Sequence, residues 1–352
     1  MDDTVAEGLV GRDNVVALVT ALAERPRSDD RPLPIVVLAG PGGSGKTRLL
    51  DHLAHAGRPE LPYARVNLSQ DPTAASCRAV LDVVYQQLRG YDHPQFGRLR
   101  FHRYELGRAM QSPQPVGDTG EGTDLGRSGE QVLTMFAARL RRRWKVPTDS
   151  GLSDSVPNRT VRLAFGWLLR LLVPTSLVIR RGPLRRILWG RRDDAAMGWY
   201  ESQAARIPMP AGARIKQIAI WFGHRADGPV TDREERGVAD ALLLDALLAD
   251  LRENYLRRRQ RRYRTGHCLL LIDDADLLPS ASAQNFLRLL ADRRRSRQWD
   301  PLVVVATKQS GLADEVGTGP VYGSDTDAVD HRAWQDRFAA ADEPNPYLPV
   351  WL

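Results

Sequence analysis

One octapeptide limits what this chain can fold into more than any other stretch: Gly40-Pro41-Gly42-Gly43-Ser44-Gly45-Lys46-Thr47. It meets every required position of the pattern G-x-x-x-x-G-K-[ST]. The run Ile35-Val36-Val37-Leu38-Ala39 precedes it, and Arg48-Leu49-Leu50-Asp51-His52-Leu53-Ala54 follows with apolar residues at helical spacing. Strand, glycine loop and helix in that order are the context in which the pattern carries meaning. Glycines let the backbone turn tightly enough for its N–H groups to converge on phosphate oxygens. The helix opening near Lys46 adds its positive end. The ammonium of Lys46 reaches the β- and γ-phosphates, and the Thr47 hydroxyl faces Mg²⁺. Gly40, Pro41, Gly42, Gly43, Ser44, Gly45, Lys46, Thr47 and Arg48 are therefore the candidate nucleotide-contacting set.

A second stretch completes such a site. Cys268-Leu269-Leu270-Leu271-Ile272 reads as a buried strand, and it ends in Asp273-Asp274-Ala275-Asp276. Hydrophobic residues followed by an acid form the Walker B pattern, in which Asp273 would hold Mg²⁺ directly or through water. Asp274 stands where a carboxylate orients the attacking water, and Asp276 reads as structural. A further buried strand, Pro301 to Thr307, ends in a polar tip, and Thr307 is a candidate reporter of the γ-phosphate or a plain strand-end threonine. The candidate catalytic residues are thus Lys46, Asp274 and Thr307, and the candidate metal ligands Thr47 and Asp273.

The order Leu9-Val10-Gly11-Arg12-Asp13, Gly40 to Thr47, Leu269 to Asp274 and Val303 to Thr307 resembles the additional-strand P-loop ATPases. Within them it is similar to the AAA+-related and STAND (NACHT/NB-ARC-like) signalling ATPases, including many of actinobacterial type. The resemblance spans about residues 8 to 90 and 235 to 310. It implies ATP and Mg²⁺ as ligands and a place near the adenine for Gly11 and Arg12. Two complete nucleotide motifs with no other catalytic constellation point to an ATP-binding switch with slow hydrolysis. It also implies a helical lid or winged-helix module after the core, for which residues 308–352 are too few. Either that module is missing or the chain is a piece of a longer protein. In the AAA+ branch of the family the second Walker B acid is often Glu, and the shorter Asp274 fits the STAND branch better. Arg293, Arg294, Arg295, Arg332 and Arg337 are candidates for an arginine finger, with none assigned.

The expected fold is a three-layer α/β sandwich around a mostly parallel sheet, interrupted by an α-rich insertion. Residues 1–110 would form the N-terminal half of the ATPase core, 111–236 the insertion, and 237–352 the C-terminal half. Expected helices include one after Asp13, Pro72 to Leu88, Phe96 to Met110, Glu130 to Trp144, Thr231 to Arg262, Ala281 to Arg293 and Trp334 to Ala341. Expected strands include Pro34 to Ala39, Pro62 to Leu68, Ile215 to Phe222 and a last one from Tyr347. Ser112 to Ser128 reads as a loop.

Composition bears on partners. The chain of 352 residues carries a net charge of +7 and has only four lysines, so its basicity is an arginine bias and weak evidence for nucleic acid. From Arg159 to Arg192 there is no acid, and arginines alternate with Trp167, Leu168, Leu171, Val178 and Trp189. Arg170 and Pro174 break this stretch well short of the ~20 apolar residues of a membrane span. It would dock on the chain's own core or a second copy, lie on an anionic membrane surface, or touch nucleic acid. The two cysteines fit no metal spacing, Cys268 reads as a buried thiol, and the acidic N-terminus lacks a signal-peptide core. A cytoplasmic location is expected, with peripheral membrane contact as a variant. A small-molecule kinase shares the phosphate loop, but no acceptor motif is visible.

Overall fold

The computed structural model describes residues 12–25, 31–56, 61–70, 76–93, 97–111, 195–196, 198–200, 202–203, 230–256, 267–278, 286–296, 299–309, 322–323, 331–342 and 344–352. Gly11, the expected helix Glu130 to Trp144, the loop Ser112 to Ser128, the basic stretch 159–192 and the expected strand Ile215 to Phe222 lie outside these residues. The chain divides into two compact units, one of residues 1–104 and 226–352, the other of residues 105–225.

The first unit is built on a six-stranded parallel sheet. In chain order the strands are β1 (Ile35–Ala39), β2 (Tyr63–Asn67), β5 (Cys268–Asp273), β6 (Leu302–Lys308), β7 (Tyr322–Gly323) and β8 (Tyr347–Trp351). In space the order is β2-β5-β6-β1-β8-β7. The short strands β3 (Asp92–His93) and β4 (Gly97–Arg98) form a separate antiparallel ribbon. Every residue of β1, β5 and β6 is buried. A parallel sheet covered on both faces requires such unbroken apolar strands, which explains why these three were legible as continuous runs.

The alternation within each strand divides the core. Val36, Leu38, Leu269, Leu271, Val303, Val305, Leu348 and Val350 face one layer. Against them pack α1 (Asp13–Ala23) through Val15, Leu18, Val19 and Leu22, and α2 (Lys46–Ala56) through Leu49, Leu50 and Leu53. Trp334 and Phe338 of α7 (His331–Ala340) complete this side. Val37, Leu270, Ile272, Val304 and Ala306 are equally buried on the opposite face. There α3 (Cys77–Gly90) packs on β2 and on α5 (Val230–Leu256), and α5 on α6 (Phe286–Arg295). The result is the three-layer α/β fold expected from the sequence.

Some boundaries differ from expectation for identifiable reasons. Helix α3 begins at Cys77 because the Ser76 side chain accepts a hydrogen bond from the Ala79 N–H, an N-cap. Helix α4 (His102–Gln111) starts later than Phe96 because β4 and Gly97, at φ +63, come first. Its cap comes from far away: the Tyr104 N–H donates to Asp250 on α5 at 2.9 Å. Val238 of α5 is 44% exposed. Nine residues from the buried Leu247, it falls on the opposite side of a helix turning ~100° per residue. Strand β8, the last in the chain as expected, lies between β1 and β7.

Candidate functional site

From β1 the chain moves to one side of the sheet, through β2, β5 and β6, and after β6 it crosses to β8 and β7 on the other. Ligands of open parallel sheets bind outside the carboxyl ends of the strands where the order reverses in this way. The loop 40–45 leaves the carboxyl end of β1 there, and α2 starts directly after it. Gly43 and Gly45 have φ of +82 and +84, values that a side chain strains. At Gly40 a Cβ would lie 2.9 Å from the Leu352 carbonyl oxygen, so the neighbouring strand end leaves room only for hydrogen.

Lys46 is 7% exposed, and its ammonium is held inside the loop. Nζ donates to the carbonyl oxygens of Gly40 and Pro41, both at 2.8 Å, and to Ser44 Oγ at 3.3 Å. A buried cation with all three donors engaged satisfies the loop's inward carbonyls while keeping positive charge at its centre. Arg12, at the start of α1, donates to the Ser44 carbonyl at 3.3 Å and thereby ties the N-terminal helix to the loop. Thr47 and Arg48 are exposed on the first turn of α2.

The acids arrive on the same edge. Strand β6 lies between β1 and β5, with Leu38 opposite Thr307 and Ile272 opposite Ala306. One intervening strand separates the loop from Asp273, about 10 Å across two strand spacings. Asp273 is 1% exposed. Its Oδ1 accepts a hydrogen bond from Thr307 Oγ1 at 2.7 Å. The Thr307 hydroxyl in turn accepts from the Asp274 N–H at 2.9 Å. Asp273 Oδ2 has no hydrogen bond among the described residues, and the Arg65 guanidinium stands 3.9 Å from it. Asp274 adopts φ +55, ψ +48, the only left-handed non-glycine among the described residues. Asp276 accepts a hydrogen bond from the Gln309 N–H at 2.5 Å, in keeping with a structural role.

A buried carboxylate with one oxygen free of hydrogen bonds is a donor suited to a hard divalent cation. The loop, Thr47 and Asp273 thus fit a magnesium–nucleotide pair in their chemistry. A cleft of about 560 Å³ opens beside Thr47, lined also by Asp51, Arg65, Asn67 and Gln87, with Asp273 and the glycine loop outside its lining.

Three of the candidate finger arginines are engaged elsewhere. Arg294 is fully buried on Asp300 and the Leu302 carbonyl, Arg293 pairs with Asp245 at 2.7 Å, and Arg295 with Asp292 at 2.5 Å. Sequence reasoning missed Arg65 altogether. It reads as an ordinary strand arginine, and only the pairing of β2 with β5 brings it beside Asp273.

Fold and loop together define a P-loop nucleoside-triphosphatase core, with the additional strand β6 between the loop strand and the acidic strand. A family model described as AAA ATPase domain matches residues 8–148, which include the loop and its helix. Over those residues the chain is similar to a nucleotide-binding ATPase domain of AAA type. Asp273, Asp274 and Thr307 lie beyond the matched residues. No curated protein matches the chain. Among the described residues, no helix is long and apolar enough to cross a membrane.

Proposed function

We propose that this protein binds Mg-ATP and hydrolyses it slowly, as a nucleotide-controlled switch of the STAND or AAA+ signalling kind. The observation that carries this reading is the Asp273 carboxylate. It is buried, held on one oxygen by Thr307 and free of hydrogen bonds on the other, on the sheet edge that bears the phosphate loop. Lys46 and the loop N–H groups take the phosphates, and Thr47 and Asp273 hold the metal. Bound magnesium supplies charge neutralisation at the triphosphate oxygens. Asp274 orients the attacking water, and Thr307 holds both acids in place. Arg12 and Gly11 border the base.

The test is ATP binding and turnover for wild type and three variants. Lys46→Ala weakens binding by roughly ten- to hundredfold, the scale of a lost charge-assisted contact. Asp274→Asn retains binding and loses turnover. Thr47→Ala weakens binding only when Mg²⁺ is present. Equal ATP affinity in all four proteins overturns the reading.

The switch would report to self-association or to a protein partner through residues 111–236. Size-exclusion chromatography with and without nucleotide checks this, because a state that is the same in both denies a nucleotide-controlled assembly. Two other partners are the alternatives that the arginine-rich composition leaves open. Duplex DNA would bind with a steep loss between low and moderate salt. Anionic liposomes would sediment the chain through residues 159–192, and deletion of that stretch would abolish it.

A further inference from the structure

Arg65 is a cation beside the acidic strand that neither the loop nor the sequence pattern accounts for. Its backbone is pinned: the Arg65 N–H donates to Gln87 Oε1 at 2.8 Å, and Gln87 Nε2 donates to the Arg65 carbonyl at 2.7 Å. These two bonds cover the outer edge of β2, the terminal strand of the sheet. Its side chain reaches the cleft that Thr47 also lines. There the guanidinium faces two carboxylates. One nitrogen, Nη1, donates to Asp51 Oδ1 on α2, and the other, Nη2, lies 3.9 Å from Oδ2 of Asp273, which has no hydrogen bond.

We propose that Arg65 is a positioning residue that sets the magnesium requirement of the nucleotide site, by dividing its charge between Asp51 and Asp273. This rests on the Mg-ATP reading above. The oxygen of Asp273 that a cation would take is the one Arg65 approaches. A fixed positive charge a few ångströms away opposes a divalent ion through Coulomb repulsion, and the low dielectric of a buried carboxylate strengthens the effect. Asp51 draws the guanidinium the other way. With Nη1 held on Asp51, the contact to Asp273 stays beyond hydrogen-bond length, and Oδ2 remains available. The pinned backbone of β2 leaves the side-chain torsions as the moving part. A third residue, Gln87, acts only by holding that pivot.

The test is a magnesium titration of a fluorescent ATP analogue bound to the full chain, starting from chelated conditions. Arg65→Gln removes the opposing charge and lowers the half-saturating Mg²⁺ by roughly three- to tenfold. Asp51→Asn leaves Asp273 as the remaining carboxylate of the pair and raises it by a similar factor. Arg65→Lys keeps the charge and stays near wild type. Arg65→Gln lowers the half-saturating Mg²⁺ without tightening the analogue under chelated conditions, a combination that general loosening of the fold would not produce. Thermal midpoints check folding, and if Arg65→Gln does not fold, the Asp51→Asn shift decides alone. Shifts of the same sign in Arg65→Gln and Asp51→Asn, or an Asp51→Asn shift under twofold, overturn the inference. A wild type whose binding ignores Mg²⁺ instead overturns the magnesium reading, and the role of Arg65 falls with it.

Discussion

Asp274 holds a backbone shape that an L-residue adopts at some cost. Two hydrogen bonds keep it there: its N–H to Thr307 Oγ1 at 2.9 Å, and its carbonyl from the Leu277 N–H at 3.0 Å. Asp and Asn tolerate the left-handed region better than other non-glycine residues. Asp274→Asn is therefore a conformationally conservative probe of chemistry. Asp274→Ala should cost about 1–2 kcal/mol in stability, and Asp274→Gly little or nothing. Denaturant unfolding of the three variants measures this, and equal stabilities for Ala and Gly would show that the turn is not strained. Thr307 is coupled to the same group. Thr307→Val strands the buried Oδ1 of Asp273 and should cost about 1–3 kcal/mol, whereas Thr307→Ser should cost less than half of that. If valine and serine unfold at the same denaturant concentration, the hydroxyl bridge contributes nothing.

Helix α6 is anchored to the sheet by a charge. Arg294, 0% exposed, donates from Nε to Asp300 Oδ2 at 3.1 Å and from Nη2 to Oδ1 at 3.0 Å, and also to the Leu302 carbonyl where β6 begins. Its bidentate fork fits the carboxylate. Removing one partner of such a pair leaves the other charge buried, so Arg294→Met should destabilise by about 3–5 kcal/mol. The paired change Arg294→Met with Asp300→Leu should recover part of that loss. A thermal midpoint for the single variant within a degree or so of wild type would argue against this anchor. Helices α4 and α5 are joined similarly. Arg103 bonds Asp250 at 2.9 Å and Glu253 at 2.7 Å, while Asn254 accepts from the Arg100 N–H at 3.1 Å and donates to its carbonyl at 2.7 Å.

Across the whole molecule, two buried groups give the stability opposing pH dependences. Burial pushes the Asp250 carboxyl up to about 7, against the Tyr104 N–H and Arg103, which pull it down. Its folded value lies above the unfolded 3.8, so this group's contribution falls as pH rises between 3.8 and about 7. Burial lowers His267 to about 4, so the folded chain keeps it neutral where the unfolded chain protonates it. That contribution is full above 6.5 and falls as pH drops toward about 4. Thermal midpoints over about pH 4.5 to 8.5 separate the two. The margin of wild type over His267→Gln should shrink toward acid, and the margin over Asp250→Asn should shrink toward alkali. Margins that do not change with pH would remove both assignments.

The phosphate loop, the acid-tipped strand and most core helices were legible in the residues because each is a local pattern. A glycine turn, an unbroken apolar strand and a 3.6-residue stripe need only a few neighbours to declare themselves. The parallel α/β class followed from the same runs. Strand order was decided in three dimensions, since β2 and β5 pair across some two hundred residues and no short pattern encodes the partner. On that pairing depends the approach of Arg65 to Asp273, and on the wider packing the Thr307 bridge between the acids, the burial of Arg294 and the capping of α4 by Asp250. Chain chemistry alone sets which groups can bind phosphate or metal. Packing sets which charges they meet, because electrostatic energy follows distance in space rather than separation in sequence.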